Sequence, residues 1–370
     1  MRTASFLIGA ALFLASPLAL PHPESAPQSK NDLFLVNHGR PLLDAHNCYP
    51  DDPHYTDRLD RALKLDLPIG IEQDIAAYKD PATGDVIPKV THSAVATAPE
   101  PTLRAHFFER VRPIIEQALK GDRSRWPVIV LHFDFKNNDP ELLRAVWKLL
   151  GEYESWITTA PKTADDRDLA AFQWRPLLVL TEDNDVQEKV FYRDLPVGGR
   201  LRLFGSAHTD RSTLRGLSER QADRAEAHVE PALLLTTPAT NYRRWWNNSW
   251  WLVEEGGQRK AGDWTPEDRA RLDNLVTHAH QLGYWIRFYT LDGFSPVEDQ
   301  GWNQGYNFGS HQAVEKRWQA AWESGVDMIA TDQYELLARF MEQLKASIWP
   351  KPLFLRNKVR QWTTPTKQWL

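Results

Sequence analysis

The amino-acid sequence predicts a (β/α)8 barrel, and two observations lead to that prediction. Short apolar runs alternate with segments of helical periodicity along most of the chain, which indicates a mainly parallel sheet covered by helices. Several of the apolar runs end in a His, a carboxylate or an amide, as the strands of a barrel do where they form its active site. An open doubly wound sheet is the alternative, but the chain carries neither G-x-G-x-x-G nor G-x-x-x-x-G-K-[ST].

The order of the predicted elements supports a barrel. Strands are predicted at residues 41–47, 69–75, 90–94, 128–135, 177–180, 201–204, 232–235, 284–291 and 326–330. Helices are predicted at residues 58–67, 103–120, 141–150, 267–282, 311–324 and 334–346. The run at 128–135 is almost continuously apolar, as expected of a strand that is covered on both faces. Thr265 and Pro266 supply an N-cap and a first-turn proline for the helix that follows.

The two ends of the chain differ in composition from its middle. Residues 1–20 place Arg2 before an apolar run, which is typical of a secretory signal peptide, although no A-x-A cleavage pattern follows. We expect a polar linker at 21–35, the barrel domain at 36–346, and a basic, Trp-containing tail at 347–370. The sequence therefore predicts a secreted or periplasmic protein, with an uncleaved membrane anchor as the alternative.

Composition limits the classes of partner. The net charge of −5 on 370 residues argues against a polyanionic partner, so we expect no contact with nucleic acid. Cys48 is the only cysteine, so an intrachain disulfide is excluded and the exported domain must rely on its core and on a bound metal for stability. We expect a monomer.

Paired polar residues at the ends of predicted strands suggest a metal site. Glu72 and Asp74 are two residues apart on a strand, so they share a face and can bind a hard cation through oxygen. Asp134 and Lys136 form a similar pair with opposite charges. Because no cluster with zinc spacing accompanies them, Mg²⁺ or Ca²⁺ is favoured over Zn²⁺.

Two histidines lie beside these pairs in the sequence. His46 and His92 each follow a short apolar run, and they could serve as general base and general acid. Taken alone, each His is more often structural, and each acidic pair is more often a solvated strand edge. It is the ordered succession of four such segments that favours a catalytic site.

These segments resemble those of the phospholipase-C-like phosphodiesterases. That superfamily includes the phosphoinositide phospholipase C X-region, the glycerophosphodiester phosphodiesterases and the sphingomyelinase D-like barrels. His46-Asn47-x-Tyr49 resembles a segment whose His is catalytic and whose Asn binds the metal. Ile71-Glu72-x-Asp74 is similar to the segment that carries two metal-binding acids.

Three later segments extend the resemblance. Val90-x-His92 is similar to the segment with the second catalytic His, and Asp134-x-Lys136 matches the sphingomyelinase D-like pattern. Residues 325–332 resemble the last strand of the glycerophosphodiesterases. The chain also departs from the family, because Cys48 follows His46-Asn47 where glycerophosphodiesterases have His-Arg-Gly, and Tyr289 stands where a Trp is frequent.

The resemblance implies a function and a set of site residues. It implies a phosphoric diester hydrolase of lipid metabolism that acts on a phosphodiester such as a phospholipid or its head group. The implied catalytic residues are His46, His92 and Lys136. The implied ligands of Mg²⁺ or Ca²⁺ are Asn47, Glu72, Asp74 and Asp134.

Aromatic segments leave other interpretations open. Residues 241–251 (NYRRWWNNSWW) are predicted as a rim loop, either a lid over the site or a packed surface loop, and residues 301–310 as a second rim loop. The tail could touch an anionic membrane surface or pack on the barrel. A catalytically silent barrel that binds glycan or lipid through Trp-rich loops is therefore one alternative. A retaining glycosidase that uses Glu72 and Glu182 is another.

Overall fold

The computed structural model describes residues 41–50, 56–255, 263–293 and 308–348. The predicted signal peptide, the polar linker, nearly all of the basic tail and most of the predicted loop at 301–310 lie outside the described residues. Within the described residues, no helix is both long enough and apolar enough to cross a membrane.

Eleven strands occur in the described part of the chain. They are β1 (Leu42–Ala45), β2 (Ile69–Lys79), β3 (Val86–Val90), β4 (Ile129–Phe135), β5 (Ala160–Pro161), β6 (Leu177–Thr181), β7 (Arg200–Leu201), β8 (Phe204–Ser206), β9 (Arg243–Ser249), β10 (Trp285–Tyr289) and β11 (Met328–Thr331). Eight of them pair in parallel in the order β1-β11-β10-β9-β8-β6-β4-β2, and β1 also pairs with β2. That last pairing closes the sheet into a barrel, so the predicted (β/α)8 fold is confirmed.

Helices follow the barrel strands on the outside. They are α1 (Arg58–Leu63), α2 (Glu109–Lys120), α3 (Pro140–Glu152), α4 (Asp185–Glu188), α5 (Glu219–Glu226), α6 (Pro231–Leu234), α7 (Pro266–Gln281), α8 (His311–Ser324) and α9 (Tyr334–Ile348). The predicted cap of α7 is present, because the Thr265 side chain accepts a hydrogen bond from the Asp268 N–H and Pro266 opens the helix. Gly325 ends α8 in a left-handed conformation (φ 80°), which glycine adopts without strain.

The strand predicted at residues 90–94 is not a barrel strand. β2 continues to Lys79, beyond the barrel rim, and β3 returns antiparallel beside it. A chain that reverses through a short turn can pair only antiparallel, whereas the next parallel strand needs a crossover helix. His92 therefore lies on the loop after this hairpin, not at the end of a barrel strand.

The Trp-rich segment was also misassigned, because it contains the barrel strand β9. Trp245 and Trp246 point to opposite faces of β9 and both are fully buried. Trp245 donates its indole hydrogen bond to the Thr181 carbonyl at 3.0 Å, and Trp246 donates to Thr209 Oγ1 at 2.8 Å. Aromatic residues favour strands that are covered on both faces, so the interpretation of this segment as a lid or surface loop is wrong.

Two neighbouring predictions need smaller corrections. Residues 232–235 were predicted as a strand, but most of them belong to α6, whose proline at the first turn starts a helix. The run at 201–204 is divided between β7, which pairs antiparallel with β5 outside the barrel, and β8, which belongs to the barrel. Local hydrophobicity could not separate these short pieces, because helix and strand segments of four residues have the same apolar content.

Candidate active site

Polar side chains from six barrel strands and the segments that follow them surround a cavity at the C-terminal end of the barrel. The cavity has a volume of about 270 Å³. Its lining residues are His46, Asn47, Glu72, His92, Asp134, Lys136, Glu182, Asn247, Arg287 and Tyr289. Six of the seven site residues predicted from the sequence line this cavity, and the seventh, Asp74, lies immediately beside it.

The register of β2 against β4 brings the three predicted acidic ligands together. Asp74 pairs with Asp134 and Glu72 pairs with His132 on adjacent parallel strands. One oxygen from each of Glu72, Asp74 and Asp134 lies within 4.8 Å of the other two. The i, i+2 spacing read from the sequence thus places both β2 carboxylates on the inner face, next to a third from β4.

This acidic cluster has the chemistry of a divalent-cation site. Asp74 is completely buried, and its Oδ1 accepts no hydrogen bond from the described residues. Burial and the neighbouring carboxylates of Glu72 and Asp134 raise the pKa of Asp74 well above its ordinary value. Clustered carboxylate oxygens are the ligands that Mg²⁺ and Ca²⁺ prefer, so these three residues could hold such an ion.

Lys136 already places a positive charge beside the cluster. Its Nζ lies 2.7 Å from Asp134 Oδ2 and 2.9 Å from Asp74 Oδ2. Burial opposes a charge on Lys136, yet the two carboxylates outweigh burial and raise the pKa of Lys136 above its ordinary value. The ammonium therefore offsets part of the repulsion among the acids.

His46 follows β1 and is enclosed by carboxylates. Its Nδ1 lies 2.9 Å from Asp332 Oδ1, and its Nε2 lies 3.5 Å from Glu72 Oε2. Burial alone would lower the pKa of this imidazole, but the charges of Glu72 and Asp332 raise it to about 9. Burial would raise the pKa of Glu72, but the charges of His46 and Arg287 hold it below its ordinary value.

Asn47 adopts a left-handed backbone conformation, with φ of 57°. Asn tolerates this conformation better than most residues because its short polar side chain can bond locally. Its amide nitrogen lies 2.7 Å from His46 Nδ1 and donates to Asp332 Oδ1 at 3.0 Å. The structure thus brings Asn47 to the cavity, where its role as a metal ligand stays a prediction.

His92 differs from His46 in almost every respect. Its side chain is 61% exposed, and its Nε2 lies 3.9 Å from Asp74 Oδ2. The ring packs against Tyr49 with 5.3 Å between ring centroids. The two histidines predicted as a catalytic pair therefore reach the same cavity from different sides, one from inside the barrel and one from the rim.

Sequence reasoning missed Arg287, a buried cation that lines the cavity. Arg287 is fully buried on β10, and its guanidinium donates to Asp44 and, at 2.8 Å, to Glu72 Oε2. A side chain on Gly70 would collide with Asp44, so glycine is required where this ion pair forms. A charged residue inside the apolar run of β10 was the signal, because a buried charge needs a partner.

Asp292 is buried beside Asp332, the carboxylate that contacts His46. The Asp332 N–H and the Thr331 hydroxyl both donate to Asp292 Oδ1, at 2.9 Å and 2.6 Å. Burial and the charge of Asp332 raise the pKa of Asp292 to about 7. Asp332 lies in the segment that resembles the last glycerophosphodiesterase strand, but its contact with His46 could not be read from the sequence.

A larger cavity of about 770 Å³ lies at the other end of the barrel. It is lined by residues that precede β1 and β2 and by the last turns of α9, including Pro41, Leu67 and Met341. No cluster of metal-ligating groups was found there among the described residues. We therefore place the candidate site at the C-terminal end, where the polar groups converge.

Comparison with known proteins finds two weak structural similarities. No family model matches the chain, and no curated protein matches it. Among solved structures, the chain is similar to a glycerophosphoryl diester phosphodiesterase from Parabacteroides distasonis, with 11% identity and a TM-score of 0.39 over 82% of this chain and 87% of that one. It is also similar to the HPPK-DHPS protein of Plasmodium falciparum, with 8% identity and a TM-score of 0.35 over 83% of this chain and 47% of that one. Likenesses this weak carry no argument about function.

Proposed function

We propose that this protein is an exported, metal-dependent phosphoric diester hydrolase of the phospholipase-C-like type. The observation that carries the proposal is the convergence of three carboxylates within 4.8 Å at the C-terminal end of a closed parallel barrel. His46, His92 and Lys136 line the same cavity. The order of these residues along the chain, which resembles that family, adds independent support.

The cation site is built from the acidic cluster and Asn47. Glu72, Asp74 and Asp134 would hold a Mg²⁺ or Ca²⁺ ion, and the Asn47 amide would complete its ligand set. When bound, such an ion withdraws charge from the phosphate oxygens. Lys136, at hydrogen-bond distance from two of these acids, is near enough to share that task through a fixed positive charge.

The two histidines divide the proton transfers. His46, enclosed by Glu72 and Asp332, begins as the imidazolium and gives its proton to the leaving alcohol oxygen as the P–O bond breaks. His92, exposed at the rim, begins neutral and takes the proton from the attacking hydroxyl as the new P–O bond forms. The attacking hydroxyl is a water molecule or a neighbouring hydroxyl of the substrate itself. Asp332 is a positioning residue, since it acts through His46.

Export and the identity of the substrate belong to the same proposal. The N-terminal leader supports a secreted or periplasmic enzyme, and the net charge supports a substrate that is not a nucleic acid. A phospholipid or its soluble head group fits a phosphodiester substrate. We expect the enzyme to work as a monomer, and its basic tail offers a peripheral contact with anionic membranes.

A metal-dependence assay tests the proposal. The wild-type protein should hydrolyse bis(p-nitrophenyl) phosphate, lose that activity in EDTA and regain it with Mg²⁺ or Ca²⁺. The Asp134→Asn variant should be nearly inactive, whereas Asp194→Asn, which removes an exposed carboxylate paired with Lys189, is the matched control. Hydrolysis that survives both EDTA and Asp134→Asn would remove the cation from the proposal.

The same assay separates the alternative functions. A catalytically silent barrel would hydrolyse no phosphodiester. The Trp-rich binding surface that this alternative requires is also not available, because Trp245, Trp246 and Trp250 are buried in the core. A retaining glycosidase would be active on glycosides without metal. Its acid would need a raised pKa, but Glu72 is paired with Arg287 and its pKa is lowered.

A further inference from the structure

The loop that carries His92 is exposed, although the proposed mechanism needs this imidazole in a fixed place. Residues 91–100 form the loop that follows β3, and within it only Thr91 and Ala96 are buried. Surface loops with few buried contacts are the more mobile parts of a fold. Because little packing is available here, hydrogen bonds must supply the order that a catalytic group on this loop requires.

The Glu100 side chain joins the two ends of this loop. Its Oε1 accepts a hydrogen bond from the Thr91 hydroxyl at 2.9 Å, and its Oε2 accepts one from the Thr97 N–H. One carboxylate therefore links the residue just before His92 to a residue further along the loop. Hydrogen bonds to a carboxylate are stronger than those between neutral groups, so Glu100 fixes the span that contains His92.

Thr91 connects Glu100 to the acidic cluster. The Thr91 N–H donates to the Asp74 carbonyl at 3.0 Å, and the Thr91 hydroxyl accepts from the Ser93 N–H at 3.2 Å. The backbone on both sides of His92 is thus held through Thr91. Glu100, Thr91 and Asp74 form one continuous chain of hydrogen bonds that ends at a proposed metal ligand.

The loop is also attached to the strand that supplies the third acid of the cluster. Asn137 Nδ2 donates to the Ala94 carbonyl at 2.7 Å, and Asn137 directly follows Lys136 after β4. This bond places the loop relative to the barrel rim. The Glu100 bonds, in contrast, set the shape of the loop around His92.

The position of the His92 ring depends on this loop. Its Nε2 lies 3.9 Å from Asp74 Oδ2, and the ring packs against Tyr49 with 5.3 Å between centroids. A shift of the loop backbone would change both contacts. An error of about 1 Å in the placement of a catalytic group can lower a rate about 10²-fold. A residue that fixes the loop can therefore control the reaction without touching the substrate.

We propose that Glu100 is a positioning residue that holds His92 where it can take the proton from the attacking hydroxyl. This inference rests on the proposed phosphodiesterase activity, in which His92 is the general base. Glu100 is not among the described residues that line the cavity, so it acts through Thr91 and the loop. Loss of Glu100 should slow proton transfer and leave the binding of cation and phosphate unchanged.

Kinetics of Glu100→Ala on bis(p-nitrophenyl) phosphate with Mg²⁺ or Ca²⁺ test the inference. The kcat should fall about 10–100-fold, whereas the inhibition constant of inorganic phosphate should change by less than about twofold. Glu100→Gln, which keeps one acceptor oxygen, should lose less activity. Glu116→Ala removes an exposed carboxylate paired with Arg112 and is the matched control, with wild-type kcat. Unfolding curves verify that each variant is folded before its kinetics are compared.

The His92→Asn background separates positioning from a general loss of structure. If Glu100 acts only through His92, adding Glu100→Ala to His92→Asn should cause no further loss of kcat. A residue that merely stabilises the site would lower kcat by the same factor in both backgrounds. Hydrogen exchange at residues 91–100 gives a readout without turnover, and Glu100→Ala should speed the exchange of the Thr97 amide.

The outcomes distinguish the inference from the function on which it rests. If wild type hydrolyses no phosphodiester with either cation, or if His92→Asn keeps full activity, the proposed mechanism fails. If wild type is active but Glu100→Ala keeps its kcat, or if the loss is equal in both backgrounds, the positioning role fails and the phosphodiesterase stands. Unchanged exchange of the Thr97 amide in Glu100→Ala would overturn the inference whatever the activity. A loss of kcat that disappears in His92→Asn, together with faster exchange at Thr97, supports it.

Discussion

One side of the active-site cavity could be predicted from the sequence and the other could not, although both consist of polar groups on or next to barrel strands. The β1–β4 side comes from a continuous stretch, residues 42–138, in which each predicted site residue lies within or just after an apolar run. The other side, formed by Glu182, Asn247, Arg287 and Tyr289, comes from widely separated positions, and three of its members lie within the aromatic strands β9 and β10. Chemistry that occupies strand ends leaves a local signal, whereas chemistry that lies deeper in the barrel interior is masked by its apolar neighbours.

Loss of either predicted proton carrier should have the largest effect. His46→Asn and His92→Asn should each lower kcat about 10²–10⁴-fold on bis(p-nitrophenyl) phosphate, because each removes a general acid or base. His92→Asn should barely change the melting temperature, since that side chain is 61% exposed. His228→Asn, which replaces an exposed His paired with Glu255, is the control. Full activity of either catalytic variant would end its assignment.

Removal of Arg287 should destabilise the protein, because this residue joins β10 to Asp44 and Glu72 on the β1–β4 side of the cavity. Arg287→Met leaves Asp44 and Glu72 buried without their cation, and breaking a buried ion pair typically costs about 3–5 kcal/mol. Arg269→Met, at a partly exposed pair with Asp273, should cost less than about 1 kcal/mol. Urea unfolding in EDTA measures both. Equal stability losses would mean that the buried ion pairs of Arg287 stabilise the fold no more than a partly exposed pair does.

The same contrast explains which parts of the fold and the site could be predicted from the sequence. The closed barrel and the acidic cluster follow from alternating elements and from i, i+2 spacing, which are local patterns. β9 was missed because a strand covered on both faces has no alternation, and its run of Trp and Asn resembled a surface loop. Asp44, Asp332 and Arg287 were missed because their partners lie more than 200 residues away along the chain. Only the closure of the barrel brings such partners together.

The pH dependence of stability should reveal the charge on His46. With a folded-state pKa near 9 and an ordinary value of 6.5, His46 binds its proton more tightly in the folded protein. Its contribution, about 3 kcal/mol for such a shift, is therefore fully present below pH 6.5 and is lost as pH rises through 9. The difference in free energy of unfolding between wild type and His46→Asn in EDTA should shrink over that range.

Another buried His, His106, should make stability depend on pH in the opposite direction. Burial lowers the pKa of His106 to about 4, and its Nε2 faces the Cys48 carbonyl instead of a carboxylate. The unfolded chain then binds this proton more tightly, so stability should fall as pH drops from 6.5 toward 4. A His106→Asn variant should lose that acidic dependence and keep the alkaline one. If both His variants retain the wild-type profile, neither shift exists.

Cation binding should give the smallest effect, because Lys136 already neutralises part of the acidic cluster. An ion that binds only the folded protein raises stability by about 2.7 kcal/mol at a hundredfold excess over its Kd. The Lys136 ammonium shares Asp74 Oδ2 and Asp134 Oδ2 with any such ion, so it must move aside or repel it. We expect only a modest rise in melting temperature with millimolar Mg²⁺ or Ca²⁺ for wild type.

Lys136→Met isolates that competition. The variant keeps the length of the side chain but removes its charge, so the three carboxylates lose their internal counterion. Its melting temperature in EDTA should be lower than that of wild type, and its affinity for Mg²⁺ or Ca²⁺ should be about tenfold higher, which corresponds to about 1.4 kcal/mol. Titration calorimetry measures the affinity directly, and Lys189→Met, at an exposed pair with Asp194, is the matched control. If Lys136→Met binds the ion no more tightly than wild type, lysine and cation do not compete. The Lys136 ammonium would then act on the phosphate and not on the bound cation. Repulsion among the three carboxyl groups would instead be reduced by protons that the buried groups retain.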